Sequence, residues 1–296
     1  MKKQEIRIGL IGSQSMHAWA FAQACNEPDQ NGNYRFPNAR VAAVYGVDDT
    51  PEHIRVTMEK GNIPHAVSSL EELIEYCNAF MILQRRGGEH MAVAEEIIKR
   101  GYPVFIDKPV CNTREDMEKL QTLASAYDTV ICGGSGFKYN RQILELKKKI
   151  AAGAFSQIRD ASITYSADID SPYDGIFFYL PHAVEIMLEL FGYDPICLRT
   201  EVKKHDDFAV CVDYGTFRVK LILNGSKNCH IEINGCRQTS EEIDGSDIFV
   251  ENMRHFITAI ENGQVTKDTA SLTKHVCVIL AVKCAIENKE IDWIKI

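Results

Sequence analysis

The sequence predicts an α/β fold, a doubly wound parallel sheet followed by an α+β domain with a mainly antiparallel open sheet. Strand and helix patterns alternate regularly up to about residue 134, which implies crossover connections and hence parallel strands. Beyond that point, residues 157–167, 207–223 and 228–234 form β-rich runs with few helices between them, as antiparallel sheets do. We therefore predict two domains, residues 1–134 and 135–296.

The chain begins with a short apolar strand that runs into a glycine turn. Residues 6–12 (IRIGLIG) precede residues 13–25, whose apolar positions predict a helix. This order is typical of a nucleotide-binding βαβ unit, whose G-x-G-x-x-G fingerprint places a pyrophosphate at the start of the helix. Gly12 occupies the first glycine position, whereas Gln14 and His17 occupy the second and third.

The second strand, residues 40–45, ends near the position of the acid that binds an adenosine ribose in such units. Gly46 stands where that carboxylate is expected, and Asp48, two residues further on, is the nearest substitute. No basic residue is there to favour a 2′-phosphate. The sequence predicts NAD or NADP, with a slight preference for NAD, or else a fold that has lost its cofactor.

The other N-terminal elements follow in order. They are helices over residues 51–60, from the serines 68–69, over 91–99 and over 113–126, and strands over 79–83, from residue 105 and over 129–132. Loop 84–90 follows a strand's carboxyl end, where open α/β sheets bind ligands. Arg85 is a candidate to clamp a carboxylate or phosphate, and His90 either caps the next helix or lines the cofactor cleft.

Residues 105–109 (FIDKP) form an apolar strand that ends in an acid, a lysine and a proline. Proline disfavours helix for the residue before it, so we expect Lys108 to be extended at a strand's carboxyl end. Because ligands bind at that edge, Lys108 is the first candidate for the chemistry. Asp107 either orients Lys108 or only ends the strand.

The composition excludes several function classes. With 296 residues, 45% of them hydrophobic, the chain can form two cores, and a net charge of −8 argues against a nucleic-acid surface. We find neither a signal segment nor the run of about 18 apolar residues that a membrane span needs. The ten cysteines include no C-x-x-C pair, so we expect reduced, buried thiols in a cytoplasmic protein. His182 and Glu185 share a helix face without a third metal ligand.

Four motifs together resemble the glucose–fructose oxidoreductase/inositol dehydrogenase/rhizopine catabolism (Gfo/Idh/MocA) family. They are residues 8–12, the loop ending in His90, residues 105–110 and residues 179–185 (YLPHAVE). The resemblance implies a Rossmann domain that holds NAD(H) or NADP(H). It also implies a second domain whose open sheet covers a small-molecule substrate and forms the interface of a homodimer or homotetramer.

The resemblance also implies residue roles. The family lysine, which contacts substrate and nicotinamide ribose, corresponds to Lys108, and the active-site histidine corresponds to His182. The acid of the family's acid-lysine-proline motif is usually Glu and is Asp107 in this chain. An aspartate found four residues before the histidine in many members corresponds to Phe178.

From these arguments we predict three sets of site residues. The catalytic set is Lys108, His182 and Asp107. The cofactor-binding set is Gly9, Gly12, Ser13, Gln14, Ser15, Met16, Asp48, Arg85, His90 and Lys108. The substrate-binding set is His17, Lys138, Tyr139, Tyr179 and His182. Structural alternatives stay open: His17 fills the space of an absent glycine, His182 is satisfied by backbone at a helix start, and Tyr179 packs in a core.

The predicted reaction is hydride transfer between nicotinamide and a hydroxyl carbon of a sugar, cyclitol or related small hydroxy compound. His182 suits a general base in oxidation and an acid in reduction, while Lys108 polarises the same oxygen. The alternative is a catalytically inactive relative that binds a small ligand or nucleotide as a sensor or partner protein. The residues that favour this alternative are Gln14, His17, Gly46 and Phe178.

Overall fold

A computed structural model describes residues 5–47, 49–226, 228–289 and 292–296, which form two compact units. The first unit comprises residues up to Cys111 with Glu115–Gly133 and Phe249–Thr269, and the second comprises Asn112–Arg114, Gly134–Ile248 and Ala270–Ile296. The chain thus returns to the first unit at Phe249, a return that a single boundary between residues 134 and 135 does not include.

The strands and helices of both units are numbered in chain order, and they alternate through the first unit. The strands are β1 (Ile6–Ile11), β2 (Ala39–Tyr45), β3 (His65–Val67), β4 (Ala79–Ile82), β5 (Val104–Asp107), β6 (Ile131–Gly134), β7 (Asp160–Tyr165), β8 (Cys197–Lys204), β9 (Asp207–Asp213), β10 (Arg218–Leu223), β11 (Cys229–Asn234), β12 (Gln238–Ile243) and β13 (Ile294–Lys295). The helices are α1 (Met16–Asn26), α2 (Pro51–Gly61), α3 (Leu70–Tyr76), α4 (His90–Lys99), α5 (Arg114–Ala126), α6 (Arg141–Ala151), α7 (Leu180–Phe191), α8 (Ile248–Glu261) and α9 (Ala270–Glu287).

The first unit contains a six-stranded sheet of order β3-β2-β1-β4-β5-β6. The pairings of β1 with β2 and β4, of β2 with β3 and of β4 with β5 are parallel, which confirms the predicted doubly wound sheet. The order reverses between β1 and β4. The carboxyl ends of these two strands therefore mark the switch point at which such sheets bind ligands.

Helices α1 and α8 complete the core of the first unit. The ring centroids of Phe21 in α1 and Phe105 in β5 are 5.5 Å apart, and those of Phe105 and Phe256 in α8 are 5.9 Å apart. Both pairs are in edge-to-face contact. These rings belong to one buried cluster that also holds Ile8 and Leu10 of β1. Burial of such large apolar side chains is the main stabilising contribution to the unit.

Two of the predicted helices are capped at their N-termini by a side chain. Thr50 accepts from the His53 N–H at the start of α2, and Ser69 accepts from the Glu72 N–H at 3.1 Å at the start of α3. Glu72 in turn accepts from the Ser68 N–H at 2.8 Å. Each cap satisfies an amide that would otherwise lack an intrahelical partner.

The second unit contains a seven-stranded sheet of order β12-β11-β7-β10-β9-β8-β13. Among the described strands of this second sheet, β7 and β10 pair in parallel and the other pairs are antiparallel. Burial alternates along β9 and β11, so one face is apolar and the other polar. The predicted mainly antiparallel sheet is confirmed, and helix α7 is buried along its whole length.

Some elements differ from the sequence prediction. The sequence predicts a helix over residues 180–191, and α7 has these bounds, whereas the strand expected over 129–132 begins at Ile131. Strands β8 and β12 were not predicted. Leu198 is the one buried residue of β8 and Ile243 that of β12, so neither strand carries a strong hydrophobic pattern.

The cysteines are all free, and their burial departs from the prediction. Five of them are buried, namely Cys25, Cys77, Cys111, Cys132 and Cys229. The expectation of a buried core thiol is wrong for Cys236 and Cys284, which are exposed because they lie in a loop and near the end of α9. Within the described part of the chain, no helix is both long and apolar enough to cross a membrane.

Candidate functional site

The turn after β1 depends on a glycine. Gly12 has φ +92°, and its N–H donates to the Tyr45 carbonyl at 2.8 Å. A Cβ at Gly12 would lie 2.9 Å from the backbone nitrogen of Gln84, just after β4. Glycine alone allows the two segments to approach so closely. Gly9 has a packing role, because the absence of a Cβ leaves space for the side chain of Leu73 in α3.

An acid from the segment after β2 binds this turn. The Asp49 carboxylate Oδ2 accepts from the Ser13 N–H at 2.5 Å and from the Ser13 hydroxyl at 2.6 Å. Thr57 donates from its hydroxyl to the Ser13 carbonyl at 3.2 Å. The predicted ribose acid, Asp48, lies outside the described residues. The carboxylate that is anchored at the glycine turn is therefore that of Asp49.

Helix α1 begins beside the turn. The Ser15 hydroxyl caps it by accepting from the His17 N–H at 3.2 Å, and the side chains of Gln14 and Met16 are exposed. A helix start presents backbone N–H groups and a partial positive charge, which suit a phosphate. The glycine turn, the anchored Asp49 and this helix start fit a dinucleotide.

Lys108 follows β5 directly and is buried, with 5% of its surface exposed. The peptide bond between Lys108 and Pro109 is cis. Burial lowers the pKa of Lys108, the Asp107 carboxylate opposes that shift, and the Arg85 guanidinium adds to it. The result is an ammonium that loses its proton more readily than an exposed lysine does.

Asp107 pairs with His17. Its Oδ2 lies 2.6 Å from the His17 Nδ1, and the two side chains are 6% and 19% exposed. Burial tends to raise the pKa of Asp107, but the His17 charge and hydrogen bond together with Lys108 hold it below its ordinary value. The His17 ring also packs edge-to-face on Phe249 at 5.2 Å. These contacts give His17 a structural role, and its contact with a substrate stays a prediction.

The loop after β4 is fixed from two sides. The His90 Nε2 lies 2.8 Å from the Gln84 carbonyl, and His90 is fully buried. A Cβ at Gly87 would lie 2.4 Å from the Pro109 Cγ, so this loop packs directly on the Lys108–Pro109 bond. Arg85 is half-buried in the same loop. The residues predicted from the ends of β4 and β5 are therefore neighbours.

In the second unit, His182 lies in the first turn of α7, which has Pro181 at its start. It is 7% exposed, and its Nδ1 lies 2.7 Å from the Ser135 hydroxyl. The imidazole packs edge-to-face against Phe137 at 5.7 Å and Tyr165 at 5.5 Å. The backbone alternative for His182 is thus incomplete, because the ring itself has a buried side-chain partner.

Glu185 supports the same region from one turn further along α7. Its Oε1 accepts from the Ser135 N–H at 2.9 Å, and a Cβ at Gly134 would lie 2.4 Å from its Oε2. The His275 Nδ1 lies 3.6 Å from the Glu185 Oε1. Burial, followed by the charge of Lys138, lowers the pKa of His275 to about 3, so that ring is neutral at pH 7.

Lys138 and Tyr139, predicted substrate contacts, belong to a short 3-10 turn (Gly136–Tyr139) after β6. The Lys138 ammonium donates to the Ser271 carbonyl at 2.5 Å and lies 3.9 Å from the Glu189 carboxylate. With 5% of its surface exposed, Lys138 is held by these structural contacts, which account for its buried charge.

Tyr179 is 37% exposed and stands next to an aromatic cluster. Phe178, at the position of the family aspartate, packs on Tyr173 at 5.0 Å and on Tyr179 at 4.6 Å. An apolar ring in this position brings no negative charge. Ser135 is instead a hydrogen-bonding partner of the His182 imidazole.

The N-terminal part of the chain matches a known family model. Residues 6–135 match the family model GFO_IDH_MocA, described as "Oxidoreductase family, NAD-binding Rossmann fold". The N-terminal segment of the chain is thus similar to the NAD-binding domain of the Gfo/Idh/MocA family. The matched segment contains the Gly12 turn, Asp49 and Lys108.

A curated relative of the chain is distant in sequence. The Salmonella typhimurium protein YceM is 28% identical over 137 residues, which are 45% of this chain and 43% of that protein. The match therefore spans less than half the length of this relative.

Solved structures share the fold of this protein over nearly the full chain. The apo scyllo-inositol dehydrogenase of Lactobacillus casei has a TM-score of 0.83 at 14% identity and covers 100% of this chain and 99% of its own. The same enzyme with bound NAD(H) and scyllo-inositol gives 0.81 at 13%, covering 99% of each chain. The myo-inositol 2-dehydrogenase of Lactobacillus plantarum gives 0.82 at 11%, covering 99% of this chain and 100% of its own.

Within each unit of the protein, predicted residues meet partners that the motifs did not indicate. Asp49 and Ser135 were both missed. Each is a small polar residue without a motif of its own, and its partner, Ser13 or His182, lies 36 or 47 residues away in the sequence. A capping pattern was the one available signal for Ser135, because its hydroxyl also accepts from the Phe137 N–H.

Proposed function

We propose that the protein is an NAD(P)-dependent oxidoreductase that transfers a hydride between nicotinamide and a hydroxyl carbon of a sugar, cyclitol or related small hydroxy compound. The observation that carries the proposal is a buried lysine, Lys108, at the carboxyl end of β5, on the same sheet edge as the Gly12 turn. A desolvated ammonium beside a dinucleotide-type turn suits proton transfer and polarisation of an oxygen.

The residues proposed to hold the dinucleotide are those at the switch point. The Gly12 turn and the capped start of α1 would receive the pyrophosphate, and Asp49 would accept from ribose hydroxyls. Arg85 and His90 line the neighbouring loop. When bound, nicotinamide supplies the hydride acceptor or donor. A carboxylate repels a 2′-phosphate, so Asp49 supports the slight preference for NAD.

The protein's own contribution is the handling of one proton. Oxidation of an alcohol releases a hydroxyl proton as the C–H bond is lost, so a basic group must lie within hydrogen-bond reach of that oxygen. Lys108 and His182 are the groups that we propose to contact this oxygen. Asp107, which is paired with His17, would keep a negative charge next to Lys108.

The proposed substrate is a small neutral polyol. Inositol dehydrogenases are among the proteins of the same fold, and this likeness makes cyclitols the first compounds to test. Tyr179 is exposed and adjacent to His182 in the first turns of the α7 region, and we propose it as a substrate contact. Lys138 and Tyr139 remain weaker candidates because Lys138 is held by Ser271 and Glu189.

Cofactor binding tests the first half of the proposal. Calorimetric titration of the full chain with NADH and with NADPH should give saturable binding of at least one of them. Absence of binding of either at millimolar concentration would contradict the proposal. A panel of cyclitols, sugars and sugar acids, followed by the absorbance of reduced nicotinamide, then searches for the substrate.

The variant Lys108→Met tests the second half, because methionine keeps the length of the side chain without its charge. We expect turnover to fall by about 10²–10⁴-fold, the usual contribution of a proton-transfer group, while NADH binding changes little. Lys99→Met, an exposed change of the same kind on α4, is the matched control. Undiminished turnover of Lys108→Met would remove Lys108 from the mechanism.

A second candidate function is a catalytically inactive sensor or partner protein that binds a nucleotide or small ligand. The observation that favours it is the aromatic packing of Phe178, which leaves no carboxylate at that position. Binding of NADH without turnover of any compound in the panel would support this function over the first.

We also propose a homodimer or homotetramer that uses the open face of the second sheet. That face carries ion pairs, including Lys220 with Glu201 at 3.2 Å and Arg218 with Asp213 at 3.0 Å. An interface formed there would be polar, and its mass by light scattering should fall as salt is raised. A monomer mass at low salt would contradict the proposal.

A further inference from the structure

We propose that Ser135 is a positioning residue that holds neutral His182 in the tautomer with its proton on Nε2, so that His182 donates a hydrogen bond to the substrate oxygen and does not act as the base. The inference rests on the proposed oxidoreductase function and deepens it, because it divides the work between the two proton-handling residues.

The pairing of Ser135 and His182 is close and buried. The Ser135 Oγ lies 2.7 Å from the His182 Nδ1, and the two residues are 0% and 7% exposed. The rings of Phe137 and Tyr165 stand edge-to-face against the imidazole. A ring enclosed in this way cannot turn its Nδ1 elsewhere without displacing an aromatic neighbour.

The Ser135 backbone and side chain are fixed by two further bonds. Its N–H donates to the Glu185 Oε1 at 2.9 Å, and its Oγ accepts from the Phe137 N–H at 3.3 Å. The hydroxyl proton then needs an acceptor. Among the described residues, the His182 Nδ1 is the acceptor within reach, so the buried hydroxyl is fully satisfied when it donates to Nδ1.

The direction of the hydrogen bond from the Ser135 hydroxyl to the His182 Nδ1 decides which imidazole nitrogen carries the proton. A neutral imidazole that accepts at Nδ1 has its proton on Nε2, and it is then a donor at Nε2. Neutral histidine donors of this kind polarise carbonyl groups in other enzymes. A carboxylate partner would favour the opposite tautomer, but position 178 holds phenylalanine.

The proton must then move to another base. In oxidation, bound nicotinamide would accept the hydride of the broken C–H bond, and the hydroxyl proton would pass to the neutral amine of Lys108, which would become ammonium. Burial and the Arg85 charge lower the pKa of Lys108, and Asp107 opposes this shift. A larger fraction of Lys108 is therefore the neutral amine than in an exposed lysine. His182 Nε2–H donates to the oxygen throughout and keeps its proton.

The tautomer can be measured without cofactor or substrate. In protein with ¹⁵N-labelled histidine, multiple-bond NMR reports which nitrogen of each ring is protonated, and His182→Gln identifies the His182 signals among those of the nine histidines. We expect a protonated Nε2 and an unprotonated Nδ1 at pH 7. A protonated Nδ1 would overturn the proposal whatever the activity of the protein.

Ser135→Ala removes the partner and should shift His182 towards the other tautomer. The matched control is Ser171→Ala, since Ser171 is also buried and also accepts from the N–H two residues on, that of Tyr173, at 3.3 Å. If both variants leave His182 unchanged, Ser135 has no positioning role. A wild-type tautomer as expected in a protein that binds no NADH would instead show that the proposed function, and not the pairing, has failed.

Turnover gives an independent readout. Glutamine keeps an N–H donor near the position of Nε2, so His182→Gln should retain at least tenfold more of the kcat than His182→Ala. A base role predicts an equal loss of kcat in the two variants. Such equality would also overturn the proposal.

Discussion

The imidazole Nδ1 of His17 lies 2.6 Å from the carboxylate Oδ2 of Asp107, and this contact joins the first turn of α1 to the carboxyl end of β5. His17 stands at the third glycine position of the dinucleotide fingerprint. The space that a glycine would leave for close helix–strand packing is used here for a buried contact between an imidazole and a carboxylate next to Lys108.

Removal of the imidazole should destabilise the fold. In His17→Ala, the buried Asp107 carboxylate loses its partner, and breaking a buried pair in this way costs about 3 kcal/mol. Urea unfolding at pH 7 measures the loss. The control is His53→Ala, an exposed histidine of α2, which should change stability by less than about 0.5 kcal/mol. Equal stability of the two variants would contradict a buried charge pair.

The Asp107 carboxylate should make stability depend on pH in a definite direction. Its pKa in the folded protein lies below the ordinary value, so the unfolded chain binds a proton first as the pH falls. Its contribution is complete above the unfolded pKa of about 3.9 and is lost as the pH falls through the lower folded pKa. The difference in urea midpoint between wild type and Asp107→Asn should therefore be constant from pH 7 to 5 and shrink below pH 4. A constant difference down to pH 2 would contradict this assignment.

The glycine turn offers a comparison between two substitutions of the same kind. Gly12 and Gly32 both have positive φ, but a Cβ at Gly12 meets the Gln84 backbone and one at Gly32 meets nothing within 4 Å. Gly12→Ala should thus lose about 1–3 kcal/mol more than Gly32→Ala. It should also weaken NADH binding in calorimetry, whereas Gly32→Ala should not. Similar losses in both would mean that the turn tolerates a side chain.

Asp49 should set the choice between the two dinucleotides. Asp49→Asn removes the charge that repels a 2′-phosphate while an amide oxygen can still accept from Ser13. We expect the ratio of NADPH to NADH affinity to rise about tenfold, which corresponds to about 1.4 kcal/mol. Asp128→Asn makes the same charge change at an exposed site of the first unit and serves as control. An unchanged ratio would place the ribose at another acid.

Much of the fold can be inferred from local sequence because local forces determine it. Alternating apolar runs and turn residues predicted the parallel sheet of the first unit. The motif FIDKP predicted a strand that ends beside Lys108, and the helix that holds His182 has the bounds 180–191 that the sequence predicts. The return of α8 to the first core was not predicted, because its apolar face does not indicate which sheet it will cover.

Some features of the candidate site can be inferred from the sequence, and others depend on tertiary packing. The sequence by itself determined which residues end the strands of the first sheet, and hence that Gly12 and Lys108 share an edge, because parallel strands align their carboxyl ends. The tertiary structure alone decided that Asp49 binds Ser13, His17 binds Asp107 and Ser135 binds His182. These partners are 36, 90 and 47 residues apart, and contacts over such separations depend on how distant elements pack, which no local propensity encodes.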